Sequence, residues 1–193
     1  GRRSGMTGAQ VARLILDNNG LRDVPVEMVE GHLTDHYDPR SKTLRLSRNV
    51  YAGSSIAAAG VAAHEAGHAI QDGVGYLPLH LRTYIYPVAS FGSGAAWWLF
   101  VIGLFMSSSV LGQSMITLGI LFFSGYVLFS LVTLPVEFNA STRALQTLEG
   151  FGYLDREEIG GARKVLNAAA LTYVAAAATA VLTLVYMFLR SRD

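Results

Sequence analysis

His64, Glu65 and His68 fall in the pattern H-E-x-x-H, within an apolar run from Val61 to Ile70. On a helix, residues four apart share a face, so the two imidazoles can address one ion. Glu65 projects beside that face, close enough to reach a water next to the ion. Two neutral histidines with a carboxylate that takes a proton from water are the working parts of a zinc hydrolase. The flanks strengthen this reading. Glu65 is the only Lys, Arg, Asp or Glu between Arg48 and Asp72. A glutamate and two histidines on an otherwise apolar helix are costly to bury without a function. The variable positions are Ala66 and Gly67, small enough to let another segment approach. The competing reading is a buried polar cluster satisfied by hydrogen bonds.

Zinc in a hydrolase takes three protein ligands and keeps one open position. The chain has no cysteine, so His and carboxylates must supply them. Glu137 is the best candidate for the third. It is the first carboxylate after a long uncharged segment and stands at the start of what reads as a new helix. The alternative is a solvated glutamate favoured by the helix dipole. Asp72, four residues beyond His68, either orients an imidazole or is a plain helix-end carboxylate. His36 or His80 as a fourth ligand would mark a closed, structural site. Arg143, His80, His36 and Tyr84 are candidates for stabilising an oxyanion, and the sequence does not choose among them.

The elements that must position these groups follow from periodicity. Thr7-Gly8-Ala9-Gln10 is a capping box opening a short amphipathic helix. Val24–Val29, Leu33–Tyr37 and Thr43–Ser47 read as strands of a short antiparallel sheet, its edge open to an extended peptide. Ser54–Gln71 is the helix of the two histidines, ended by Asp72-Gly73.

With 193 residues the chain is long enough for one domain, and its net charge of +1 argues against a nucleic-acid partner. Charged residues make up only 15%, and the mean hydropathy is +0.35. That apolarity is local. Residues 83–136 contain no Lys, Arg, Asp, Glu or His, and residues 165–189 carry no charge. A bilayer core asks for about 20 apolar residues per helix. The expected fold class is therefore a mainly α integral membrane protein: three transmembrane helices plus a small zincin-like domain carrying the H-E-x-x-H helix and the short antiparallel sheet. The spans fall at about 87–106, 114–134 and 167–189. A single domain, 1–193, divides into an N-terminal helix, sheet and H-E-x-x-H helix (1–82), a transmembrane hairpin (83–134), a third-ligand helix and connector (135–164) and a last transmembrane helix (165–193). A hairpin returns the chain to the side it left, which brings Glu137 to the side of His64 and His68. Residues 1–82 hold nine Lys/Arg and 137–164 hold four, against Arg190 and Arg192 on the other side. The positive-inside rule then places the catalytic side in the cytoplasm.

Several strings go beyond the zinc pattern: Asp35-His36-Tyr37-Asp38-Pro39, Leu44-Arg45-Leu46-Ser47, Leu134-Pro135-Val136-Glu137-Phe138-Asn139-Ala140-Ser141 and Lys164-Val165-Leu166-Asn167-Ala168-Ala169-Ala170-Leu171-Thr172-Tyr173-Val174-Ala175. Together with His64-Glu65-Ala66-Gly67-His68, they make the chain resemble the YugP-type family of bacterial membrane zinc metallopeptidases over nearly its whole length. The resemblance implies a multi-pass protein of the bacterial cell membrane that binds Zn²⁺ and acts on protein or peptide substrates. Members usually carry one more membrane helix at the N-terminus, ahead of where this sequence begins. A more distant likeness is to gluzincins of the HtpX and CAAX prenyl protease type. There the third-ligand Glu opens an E-x-x-x-D pattern whose Asp supports a zinc-binding histidine. Glu137 matches that ligand, and Ser141 stands where the Asp is expected. Support must then come from the Ser141 hydroxyl or from elsewhere, such as Asp72.

The leading expectation is a zinc endopeptidase at the membrane surface, with His64, His68 and Glu137 as metal ligands and Glu65 as the catalytic base. One alternative is a site-2-type intramembrane protease, which would take an Asp from a later membrane helix; no span here contains one. The other is a membrane scaffold with a structural metal. Substrate, cleavage preference, oligomeric state and any regulatory partner are not written in the sequence.

Overall fold

The computed structural model describes residues 5–150, 152 and 155–192, apart from the side chains of residues 92 and 93. Its elements are α1 (Gly8–Asn18), β1 (Val26–Val29), β2 (His36–Asp38), β3 (Thr43–Ser47), α2 (Arg48–Tyr51), α3 (Ile56–Gly73), α4 (Leu77–Phe105), α5 (Val110–Gly150) and α6 (Arg156–Arg190). They form two compact units. Unit 1 comprises Gly1–Leu79 and Val136–Ala170; unit 2 comprises His80–Pro135 and Leu171–Asp193.

Unit 1 has a core of Val11, Ile15 and Leu16 from α1, Leu44 and Leu46 from β3, Ala59, Ala62, Ala63 and Ala66 from α3, and Ala144 and Leu148 from α5. The capping box of α1 forms as expected: Thr7 and Gln10 satisfy each other's backbone N–H through their side chains. Ser55 Oγ accepts from Ala58 N at 3.1 Å and starts α3.

The sheet is mixed, not antiparallel. Its order is β1-β3-β2, with β1 parallel and β2 antiparallel to β3. The physical reason lies in β3. Thr43, Leu44, Leu46 and Ser47 are all buried, so this strand is covered on both faces and takes the centre. Pro25, just before β1, suits an edge because it has no N–H to offer, and its carbonyl accepts from Leu44 N at 3.0 Å. The chain from β1 to β2 passes Gly31 (φ 111°) and Leu33 (φ 56°), which lets it cross to the other edge. β2 is therefore an outer strand.

Unit 2 is built around Ala96, Phe100, Ile116, Phe123, Val127, Ala180 and Met187. Gly103 and Gly119 allow α4 and α5 to pack closely: a Cβ on Gly119 would lie 2.8 Å from the Ala96 carbonyl oxygen. Among the described residues, two helices are long and apolar enough to cross a membrane, α5 and α6. The expected first span is a bent pair, Leu77–Phe91 and Gly94–Phe105, whose directions differ by 41°. Each piece falls short of the about 20 residues a bilayer asks of one helix. The count is thus two, or three if the bent pair crosses as one span.

The break expected at Pro135 is absent. α5 continues through it, from Val110 to Gly150. A proline removes one backbone hydrogen bond, and the ladder on either side of a helix this long outweighs that loss. Glu137 is therefore in the interior of a helix and not at its start.

Candidate metal centre

α3 is rich in Ala and Gly, so its surface is low, and at Gly67 it meets α5 backbone to side. A Cβ there would be driven into the carbonyl oxygen of Ala140. This close approach sets Glu137 and Ser141, one turn apart on α5, against His64 and His68, one turn apart on α3. His64 Nε2 lies 2.9 Å from Glu137 Oε2, and His68 Nε2 lies 3.7 Å from the same oxygen. Ligand atoms of the three residues all fall within 4.8 Å of one another. Tetrahedral bonds of about 2.0–2.2 Å put ligand atoms about 3.3–3.6 Å apart, so the observed spacing fits a zinc-sized ion with small adjustments. Glu137 is 2% exposed, whereas His64 and Glu65 are partly exposed.

The far nitrogens of both imidazoles are held. Ser141 Oγ lies 3.0 Å from His64 Nδ1. The hydroxyl thus occupies the position behind this imidazole. Gln71 Oε1 lies 2.9 Å from His68 Nδ1. The amide orientation of Gln71 is decided by its other partner: Gln71 Nε2 donates to the Val136 carbonyl at 2.8 Å, and a carbonyl can only accept. Oε1 must then face His68, so Nδ1 carries the proton and Nε2 presents its lone pair. That is the tautomer a metal requires. The arrangement extends further. Asn139 Oδ1 accepts from Gln71 Nε2 at 3.0 Å and from Arg143 Nε at 2.7 Å, and Arg143 lies over the Tyr76 ring.

Burial opposes a charge on His68, while the hydrogen bond to Glu137 and the carboxylates of Glu65 and Glu137 favour it. The favourable effects prevail, and its pKa stands above the ordinary histidine value. A metal at this spot takes the place of that proton.

Glu65 lies outside the ligand set. One oxygen, Oε2, accepts from Tyr37 N on β2 at 3.1 Å. Tyr37 lies on the edge strand β2, and its N–H reaches across to Glu65 on α3. The other oxygen of Glu65 has no hydrogen bond among the described residues.

Asp72 accepts from the Tyr37 hydroxyl at 2.8 Å, and it is Gln71 that occupies the position behind His68. His36 is exposed on β2, with Nδ1 2.7 Å from the Thr34 carbonyl, and stands outside the metal group. Arg143 has its Nε engaged by Asn139. His80 and Tyr84 lie on α4 in unit 2. Sequence reasoning missed Gln71, Asn139 and Tyr37. The three-residue spacing of His68 and Gln71 was the available signal for the first.

Over residues 1–192 the sequence matches the family described as "Putative neutral zinc metallopeptidase". The chain belongs to this family. It is also similar to the "Putative membrane protease YugP" of Bacillus subtilis (strain 168), 53% identical over 193 residues, which cover 98% of this chain and 84% of the relative. No solved structure matches. In this zinc peptidase family, His64, His68 and Glu137 are the group this chain positions for the metal. Two imidazoles and a carboxylate suit zinc, and a set without thiolate matches a chain without cysteine.

Proposed function

We propose that the protein is a zinc-dependent, gluzincin-like endopeptidase that hydrolyses protein substrates at the membrane surface. The observation that carries this is the convergence of His64, His68 and Glu137 beside an unliganded Glu65. Neither His36 nor His80 joins the group among the described residues, which favours an open coordination position over a closed structural site. α3 is not among the helices apolar enough to cross a membrane, which favours action at the surface over the site-2 type.

His64, His68 and Glu137 hold the ion. When bound, zinc would polarise the scissile carbonyl and make a neighbouring water more acidic. Glu65, its Oε2 held by Tyr37 N, accepts the water's proton on the other oxygen and returns it to the leaving amine. An edge of the sheet would supply the remaining backbone groups that pair with an extended peptide. The family name and the relative's name as a membrane protease support the reaction class and the location. A multi-pass arrangement with three spans and a cytoplasmic catalytic side rests on the apolar segments and on the Lys/Arg imbalance.

The test is cleavage of casein by the purified, detergent-solubilised chain beside Glu65→Gln, with zinc measured in both. Cleavage by the parent alone at equal zinc content supports the proposal. Cleavage retained in the variant removes the base assignment, and zinc without cleavage in either supports a structural metal.

A further inference from the structure

The start of α5 and the end of α6 are corresponding ends of the two candidate membrane spans, and they meet the end of α4 around a cavity of about 690 Å³. Nothing in the peptidase chemistry uses it. Its lining is divided by chemistry. Arg190, Arg192 and Gln113 provide cationic and amide donors, joined by serine hydroxyls of the α4–α5 turn. Leu104, Ile116 and Phe188 provide an apolar wall. In the sequence of unit 2, Asp193 is the one Asp or Glu, so Arg190 and Arg192 outnumber carboxylates at this end.

We propose that this cavity binds one anionic phospholipid. Its phosphate meets the guanidinium groups of Arg190 and Arg192 and the Gln113 amide, and its acyl chain runs along Leu104, Ile116 and Phe188. Three observations converge. Guanidinium groups present fixed N–H pairs that match phosphate oxygens. The cavity stands at the ends of apolar helices, the depth at which headgroups lie. The lining joins charged and amide donors at the helix ends to apolar side chains, which suits an amphiphile better than a free phosphate. This inference does not depend on the peptidase reading.

The experiment uses the full chain in mixed micelles of phosphatidylglycerol and phosphatidylcholine in equal amounts. Retained lipid is counted by native mass spectrometry. The parent should favour phosphatidylglycerol by about thirtyfold, in keeping with two arginines acting near a headgroup. R190Q/R192Q should bring that ratio close to one. The control R40Q/K42Q removes two positive charges from the β2–β3 turn and should leave the ratio unchanged. Gln113→Leu should lower it with both arginines present, and decides the matter if the double variant does not fold. No preference in the parent, an unchanged ratio in R190Q/R192Q, or an equal loss in the control overturns the proposal. So does displacement of the lipid by glycerol 3-phosphate at equal concentration, which would make the cavity a site for free phosphate.

Discussion

Gly67 and Ala140 touch where α3 and α5 pass: the space a methyl group would need at Gly67 is filled by the Ala140 carbonyl. On either side of this contact stand the residues that gather the metal. Gly67→Ala should push the helices apart, at a cost of about 1–3 kcal/mol. More tellingly, it should move Glu137 and Ser141 away from the two histidines. We expect zinc content well below one per chain by atomic absorption, in protein that still elutes as a folded species. Full zinc occupancy would show that the close approach does not set the site.

Glu137→Ala removes the one carboxylate of the donor set. Zinc retention after dialysis against a weak chelator should fall by at least about tenfold relative to the parent, the size of effect seen for groups that hold a metal or its ligands. Equal retention would reassign the third ligand.

Gln71 is fully buried and holds the tautomer of His68. Gln71→Leu keeps the volume but leaves His68 Nδ1 and the Val136 carbonyl without their bonds, a cost of about 1–3 kcal/mol. Zinc affinity should fall about 10–100-fold. Gln71→Glu should hold the imidazole and lose less. If both variants bind zinc like the parent, the amide has no part in orienting the ligand.

Ser141→Ala should weaken zinc binding by losing the bond to His64 Nδ1, and Ser141→Asp should restore or exceed the parent's affinity, because a carboxylate is the stronger acceptor. Competitive titration with a fluorescent chelator reads both. An alanine variant indistinguishable from the parent would make the contact incidental.

Tyr37 gives a pH dependence. Burial, then the hydrogen bond and charge of Asp72, hold its phenol above the ordinary value near 10. In the unfolded chain the phenol ionises near that value, and in the folded protein it does not. The stability it contributes is complete below pH of about 10 and declines as pH rises above it. Tyr37→Phe removes this titration. Between pH 9 and pH 11 the parent should lose more of its unfolding midpoint than the variant does. Parallel losses would contradict the assignment.

The two histidines were legible because a four-residue spacing on a helix has one geometric meaning. Glu137 was legible because a carboxylate after so long an uncharged stretch stands out. Ser141 was legible only through the E-x-x-x-D pattern of a related family. Gln71 was not, since a glutamine near a helix end reads as ordinary solvation until α5 is seen to cover it. The sheet misled for a similar reason: three short strands show their faces in their alternation, but the pairing of β1 with β3 depends on which strand is buried on both sides. Pro135 misled because a proline marks a probable helix end in water and a tolerable irregularity in a long apolar helix.

The donor set is split along the chain in a way that governs when it can exist. Glu137 follows His68 by 69 positions, with the apolar segment between them. At ordinary rates of synthesis that interval is about 3–14 s. Until it has passed, a nascent chain carries two imidazoles and no carboxylate to complete them. A ribosome that stalls inside the apolar segment releases a product that lacks its third ligand. The donor set can therefore close only after the apolar segment has been made.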